Sequence, residues 1–525
     1  MSRLQRLASQ FRAADSVVCR CVLILLLVGA ASSCNREPDN TASGDPPAEL
    51  ANAAEVAAQV EHFCGNCHAL PSPESFPRHA WDREVSRGYE FYNLSGRDDL
   101  EVPRRADVVQ WFRERAPEEF LVQQSASSSG TLDFRPEPFD FAQPLPVPGT
   151  AGLRLIPGEA QPSVFLLDML NGTIGSLSVD SDKRRLSKLL SSGNPCRIEP
   201  SDLDVDGVPD YLVADLGSGQ PEDHNRGRIL WLRDVDGSLT ETVLASDLGR
   251  VADVRPADFD GDGDDDLIVA EFGWLDTGRI LLFENLTDGA EGSEGQLPEW
   301  KRHVIDPRHG TIHVPVVDLN GDGLLDFVAL VSQEYEAVDA FLNQGGLKFE
   351  QVQLWAAPDP SYGSSGIEMV DLDQDGDMDV LYSNGDTMDS FYLKPYHGIT
   401  WLENRGSFPF EPHELTRMPG VARALPADLD GDGDLDIAAC SLIPWSQLQD
   451  QPAVKLDSLV WLENTGECNF ERHVLEQSRH GHLTMETGDI DSDGDIDLVV
   501  GGFGAEETDT TAPVTVWWNE ASPES

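Results

Sequence analysis

Six copies of one nine-residue pattern, Asp-x-Asp/Asn-x-Asp-Gly-x-x-Asp, recur along this chain at intervals of 53 to 61 residues, starting at Asp202, Asp258, Asp318, Asp371, Asp428 and Asp489. A repeat at that spacing restricts the fold to equal units that stack or close into a ring. Positions 1, 3, 5 and 9 carry the oxygen donors. They are Asp202, Asp204, Asp206 and Asp210; Asp258, Asp260, Asp262 and Asp266; Asp318, Asn320, Asp322 and Asp326; Asp371, Asp373, Asp375 and Asp379; Asp428, Asp430, Asp432 and Asp436; and Asp489, Asp491, Asp493 and Asp497. Hard oxygen donors crowded into a short loop suit Ca²⁺, which takes roughly six to eight oxygens in irregular geometry. About six calcium sites are therefore expected, one per loop, since the carboxylates repel one another without a cation.

An EF-hand begins with the same letters but needs a bidentate Glu at position 12 on an exiting helix. Position 12 here is Val213, Val269, Ala329, Tyr382, Ala439 and Val500. Each loop runs instead into a short apolar segment, such as Leu267-Ile-Val-Ala or Leu498-Val-Val, which reads as a buried strand. EF-hands are excluded.

The third repeat reads as strand, loop, strand, strand, strand: 251–257, the loop at Asp258, 267–272, 278–285 and 300–305. Four strands per period make a propeller blade. The third strand has its own recurring text, as in Ile280-Leu-Leu-Phe-Glu-Asn, Ile399-Thr-Trp-Leu-Glu-Asn and Leu459-Val-Trp-Leu-Glu-Asn. Ahead of the first loop, Ser163-Val-Phe-Leu-Leu-Asp and Gly175-Ser-Leu-Ser-Val read as a seventh blade without a loop. No room remains after Asn519 for a fourth strand in the last blade, so Thr131-Leu-Asp-Phe-Arg or a nearby segment is expected to close the ring. These loops, with Phe272-Gly273 and Phe503-Gly504, resemble the FG-GAP/VCBS repeat family, which includes the integrin α propellers. That resemblance covers about residues 150–520 and implies a mainly β, seven-bladed, calcium-binding propeller within 131–525. Such propellers serve as adhesins, binding platforms and enzyme scaffolds, so function does not follow from it.

The first 33 residues read as an export signal: Arg3, Arg6, Arg12 and Arg20 precede an apolar run over 21–31. Ala31-Ser-Ser-Cys34 resembles a lipobox with Ala31 in place of the usual Leu, which makes Cys34 the expected lipidation site after cleavage; plain signal cleavage or an uncleaved anchor are the alternatives. A polar, Pro-rich tether follows over 34–49. The expected location is the periplasm or the cell surface, with the membrane reached through the lipid. Lys and Arg number 37 against 93 Asp and Glu, a net charge of −56. Six bound Ca²⁺ would leave about −44, so nucleic acid is not an expected partner.

Residues 50–122 hold the other informative motif, Cys64-Gly-Asn-Cys67-His68. C-x-x-C-H is the attachment signal for haem c, with two thiols forming thioethers and the His ligating iron. Helices expected over 48–62 and 104–115 flank it, and the arrangement resembles a small cytochrome c domain. A structural disulfide or a zinc site would also use the two cysteines. No Met lies between Met1 and Met169, which leaves His79 and His62 as local candidates for the distal ligand, or a five-coordinate iron, or a ligand from the propeller. Residues 123–130 read as a flexible link between the two parts.

The strand before each loop lies nearest a propeller axis. Five residues before each loop stand Arg197, Asp253, His313, Gly366, Arg423 and Thr484, and three before stand Glu199, Arg255, Pro315, Glu368, Leu425 and Glu486. Alternation along a strand puts these sets on one face around the channel. Arg197, Asp253, His313, Arg423, Glu368 and Glu486 are the candidates there for binding a polar or carbohydrate ligand, or for catalysis, with salt bridges that fill the channel as the other reading. Three functions remain open: electron transfer with partner binding, a binding or adhesion module without redox chemistry, and a haem-coupled dehydrogenase or polysaccharide-active enzyme.

Overall fold

The computed structural model describes residues 53–520 except 129, 131, 157–161, 181–182, 236–237, 288–296, 389, 445–446, 448–454 and 505–511. The expected signal, Cys34 and the expected tether lie outside the described residues.

The helical part contains α1 (Ala53–Cys64), a 3₁₀ turn (Pro73–Ser75), α2 (Trp81–Leu94) and α3 (Arg105–Arg115). Val60, Trp81, Val85, Val108, Val109 and Phe112 form its core, and Trp81 stacks on Phe112 with ring centroids 3.9 Å apart. Helix α2 is absent from the sequence reading. Its apolar residues are spread between charges, and Gly88 interrupts a stretch whose helix is secured by the burial of Trp81 and Val85. Among the described residues no helix is long and apolar enough to cross a membrane.

Strand β1 (Phe134–Phe139) follows. The blades are then β2 (Thr150–Ile156), β3 (Ser163–Asp168), β4 (Thr173–Asp180), β5 (Lys183–Ser191); β6 (Pro195–Ser201), β7 (Asp210–Asp215), β8 (Gly227–Val235), β9 (Ser238–Leu248); β10 (Val251–Ala257), β11 (Asp266–Glu271), β12 (Arg279–Asn285), β13 (Trp300–Asp306); β14 (Thr311–His313), β15 (Val316–Val317), β16 (Asp326–Val331), β17 (Ala337–Asn343), β18 (Phe349–Ala356); β19 (Ser364–Val370), β20 (Asp379–Asn384), β21 (Gly398–Glu403), β22 (Glu411–Arg417); β23 (Val421–Ala427), β24 (Asp436–Ser441), β25 (Asp457–Asn464), β26 (Phe470–Gln477); and β27 (Met485–Gly488), β28 (Asp497–Gly501), β29 (Val514–Asn519). Each is an antiparallel sheet in which strands pair in chain order. The innermost strand of the fourth blade is split at Pro315, which has no N–H to give the ladder. The last blade takes β1 as its outer strand, paired antiparallel to β29 from Phe134 opposite Asn519 to Phe139 opposite Val514. The two ends of the propeller thus close one blade, three residues past the start of the segment expected from the sequence.

The first strands of successive blades lie against one another around the whole ring: β2, β6, β10, β14, β19, β23, β27 and back to β2. The core fills the spaces between blades. Leu212 and Trp231 of the second blade, for example, pack on Val254, Val269 and Leu281 of the third. The second strands are buried on both faces, which is why they read as continuous apolar runs. Strand alternation puts the Asp-rich loops on one face of the ring and the second-to-third-strand connections on the other.

The helical part packs on that other face. Asp359, between β18 and β19, accepts hydrogen bonds from Ser72 N (2.6 Å) and Ser75 Oγ, and from Ser361 N and Oγ at its second oxygen. Buried Lys394, between β20 and β21, donates to Ser75 O at 2.6 Å and lies 3.8 Å from the Phe76 ring centroid. The link at 123–128 is not free. Its backbone bonds along two outer strands, with Ser125 N to Arg417 O (3.0 Å) and Ser128 N to Arg472 O (2.9 Å), and Gln124 Oε1 accepts from Asp457 N (2.8 Å) at the start of β25. Small polar side chains expected to leave the link loose instead satisfy exposed strand edges.

Candidate functional site

The Asp-rich loops owe their shape to their first carboxylate. Asp258 Oδ1 accepts from Gly261 N (2.7 Å) and Asp262 N (3.2 Å), and Oδ2 accepts from Gly263 N (3.0 Å). The position-6 glycines all take left-handed backbone, from Gly207 at φ 81° to Gly494 at φ 102°. Position 4 is left-handed too, including Val205 at φ 52°, a requirement that the motif does not spell out. Carboxylate oxygens of Asp202, Asp204 and Asp206 lie within 4.8 Å of one another, as do those of Asp258, Asp260 and Asp262, and those of Asp371, Asp373 and Asp379. Such clusters fit a hard divalent cation.

Position 9 also ties the loop to the blade. Asp266 accepts from Phe259 N (3.2 Å) and Asn285 N (2.8 Å), and Asp326, Asp379, Asp436 and Asp497 accept in the same way from Asn343, Asn404, Asn464 and Asn519. The recurring Asn that ends the third strand is explained by its side chain, which ties the loop a second time: its Nδ2 donates to the position-8 carbonyl, as Asn404 does to Met378 O at 3.2 Å and Asn464 to Leu435 O at 3.3 Å. The recurring Trp has the same origin, since Trp231 Nε1 and Trp401 Nε1 each donate to a position-9 carboxylate at 2.8 Å. Burial pushes Asp266, Asp436 and Asp497 up to about 7, against the pull of these amides.

On the axis the residues five and three before each loop meet across blades. Arg197 Nε lies 3.2 Å from Glu199 and 3.3 Å from Asp253, and Arg197 Nη1 donates to His313 Nδ1 at 3.2 Å. Arg255 bridges Glu199 (2.8 Å) and Asp253 (3.0 Å). Arg423 reaches Glu368 at 2.9 Å and Glu486 at 3.7 Å. Arg154, 3.1 Å from Glu199, joins the ring from the first blade and is absent from the sequence reading because that blade has no loop to index its strand. Four guanidinium groups thus face four carboxylates. Burial holds His313 below its ordinary value despite its Asp253 partner, so it is neutral, and burial raises Glu486. Gly366, Pro315, Leu425 and Thr484 bring no charge to this network.

The C-x-x-C-H motif lies at the end of α1. Cys64 and Cys67 carry free thiols, and burial pushes Cys64 up to about 11. His68 Nδ1 is 2.7 Å from Ala69 O, which leaves Nε2 available. Arg97 donates to Cys67 Sγ at 3.0 Å and to Asn66 Oδ1 at 2.6 Å. His62 is exposed at the end of α1, and His79 Nε2 is 3.3 Å from Tyr392 OH in the contact between helices and propeller.

Residues 202–269 and 318–382 match a family model described as FG-GAP-like repeat. The chain carries FG-GAP-like repeats. No curated protein matches it. Among solved structures, the FG-GAP propeller is similar to virginiamycin B lyase from Staphylococcus aureus, 12% identical over 73% of this chain and 99% of that one at a TM-score of 0.42. The periplasmic gluconolactonase PpgL of Pseudomonas aeruginosa is 15% identical over 62% and 85%, at 0.40. A protein from Lactobacillus plantarum is 11% identical over 62% and 83%, at 0.38. An FG-GAP propeller offers a ring of loops suited to binding, and the fold alone assigns no reaction.

The face of the FG-GAP propeller opposite the loops also buries neutral histidine. His480, 2.8 Å from Ser441 Oγ, is pushed down to about 4, first by burial and then by His482. A base whose folded pKa is depressed contributes stability above its unfolded pKa and loses it as pH falls. The loss from this group begins near pH 6.5 and reaches about 3 kcal/mol at pH 4. His480→Gln should flatten the stability slope across that window by about one proton, read by urea denaturation at stepped pH.

Proposed function

We propose that the chain is an exported, lipid-anchored electron-transfer protein, in which a helical module carrying a covalent c-type haem is docked on a calcium-stapled FG-GAP propeller that binds a partner. The observation that carries this reading is the buried joint of Asp359 and Lys394, which fixes the segment following Cys64-x-x-Cys67-His68 to the propeller face away from the loops. Burial lowers Lys394 to about 8 against the attraction of the Asp359 carboxylate, so the joint holds a desolvated amine whose charge depends on that partner.

Two cysteines followed directly by an imidazole whose Nδ1 faces a carbonyl suit a haem, which uses all three groups where a disulfide uses two. Bound there, haem supplies one-electron chemistry. Within the chain, Cys64 and Cys67 would hold the group covalently and His68 would present Nε2 to iron, its imidazole oriented by Ala69 O. Phe63, with Tyr89 and Tyr92 at 5.1 and 5.0 Å between ring centroids, gives the attachment side an apolar wall. The paired charges on the axis favour a structural role for the channel over an open ligand site. Calcium in the six loops holds the scaffold, and Cys34 carries the lipid.

Mature protein made with haem-maturation machinery should weigh one haem more than its polypeptide, and Cys64→Ser with Cys67→Ser should remove that mass. A parent protein at polypeptide mass, with two more titratable thiols under denaturing conditions than the double variant, would refute the haem.

A further inference from the structure

The fifth and sixth blades repeat a second set of metal-ligating side chains outside the Asp-rich loops. Glu403, Glu411 and His413 form one set, and Glu463, Glu471 and His473 the other, each with ligand atoms within 4.8 Å of one another. Strand register explains the repetition, because Glu403 is paired with Glu411 and Trp401 with His413, while Glu463 is paired with Glu471 and Trp461 with His473. The third blade has Glu284 and His303 at the same places, with Lys301 opposite Glu284.

The three sites differ in what balances their carboxylates. In the third blade Lys301 Nζ lies 2.7 Å from Glu284. In the fifth, Arg405 bridges Glu403 at 2.7 Å and Glu411 at 2.8 Å. A side-chain cation therefore already occupies this place in two of the three blades. In the sixth blade the residue corresponding to Arg405 is exposed Thr465, and Lys301 corresponds to Glu471.

The imidazole of this sixth-blade set is also the best held. His473 is buried, its Nε2 is 2.6 Å from Glu463 Oε2, and its Nδ1 is 2.9 Å from Ser128 Oγ. Ser128 is itself fixed between Arg472 O and Val474 N. A hydroxyl on Nδ1 orients the ring so that Nε2 points at the carboxylates, as the outer partner of a metal-bound histidine does.

We propose that Glu463, Glu471 and His473 bind a divalent cation of the zinc class, in the place that Lys301 and Arg405 fill in the sister blades. One nitrogen with two carboxylates suits Zn²⁺ better than Ca²⁺, which prefers oxygen alone, and leaves a fourth position for water. Metal–ligand distances of about 2.0–2.2 Å set donors about 3.3 Å apart, so the contact between His473 and Glu463 opens by roughly 0.7 Å on binding.

The test is equilibrium dialysis of the full chain against Zn²⁺ with Ca²⁺ held in large excess. Thr465→Arg, which installs the cation of the fifth blade on an exposed turn, should release one Zn²⁺ per chain. Arg405→Thr should add one. A Thr465→Arg protein that binds as much Zn²⁺ as its parent overturns the proposal, and an Arg405→Thr protein that gains none contradicts the role given to the side-chain cations.

Discussion

Removing calcium with a chelator is expected to lower the melting temperature by roughly 15 °C or more. Each ion that binds only the folded chain contributes about 2.7 kcal/mol when its free concentration is a hundredfold above its dissociation constant. Six loops together then contribute about 16 kcal/mol, as much as the whole stability margin of an ordinary domain. The effect should spread through the fold, because the position-9 carboxylates that close the loops also hold the third strands through Asn285, Asn343, Asn404, Asn464 and Asn519. Calorimetry with and without chelator reads it directly, and an unchanged melting temperature would contradict the stapling role.

Deleting residues 134–139 should have a comparable effect by a different route. Strand β1 gives β29 six paired residues and buries Phe134 and Phe139 in two separate clusters, one with Trp461 and Trp517 and one with Val514, Val516 and Trp518. Truncating either Phe to Ala should cost about 3–5 kcal/mol. Loss of the whole strand removes both and exposes β29 as an unpaired edge beside an apolar face. The deleted protein should aggregate or lose its near-ultraviolet circular dichroism, whereas Phe139→Ala should remain folded with a lowered melting point. A monomeric deletion variant that melts with the parent would mean that the ring does not depend on this closure.

Much of this architecture is legible because one motif indexes it. Counting back from each loop identifies the inward face of the first strand, and Arg197, Asp253, His313, Arg423, Glu368 and Glu486 do meet there. Where the index is missing, so is the residue: Arg154 sits in the blade without a loop. Helix α2 escapes because its apolar positions are few and Gly88 breaks the pattern. The joint between helices and propeller leaves no local signal at all, since Asp359 and Lys394 lie in irregular connections and their partners Ser72 and Ser75 are 284 to 319 residues away. Contacts of that range depend on blade closure, which no window of sequence contains. Val205 shows the same limit on a smaller scale, because its left-handed backbone is imposed by the loop against its own preference.

The propeller explains how the chain is held together, and the proposal for what it does depends on Cys64, Cys67 and His68. A redox titration of the full-length protein, followed in the visible spectrum, tests that dependence most directly. The account predicts a c-type haem band that appears on reduction, disappears on reoxidation and is absent from the Cys64→Ser, Cys67→Ser protein. A mature protein with no visible band at any potential would contradict it.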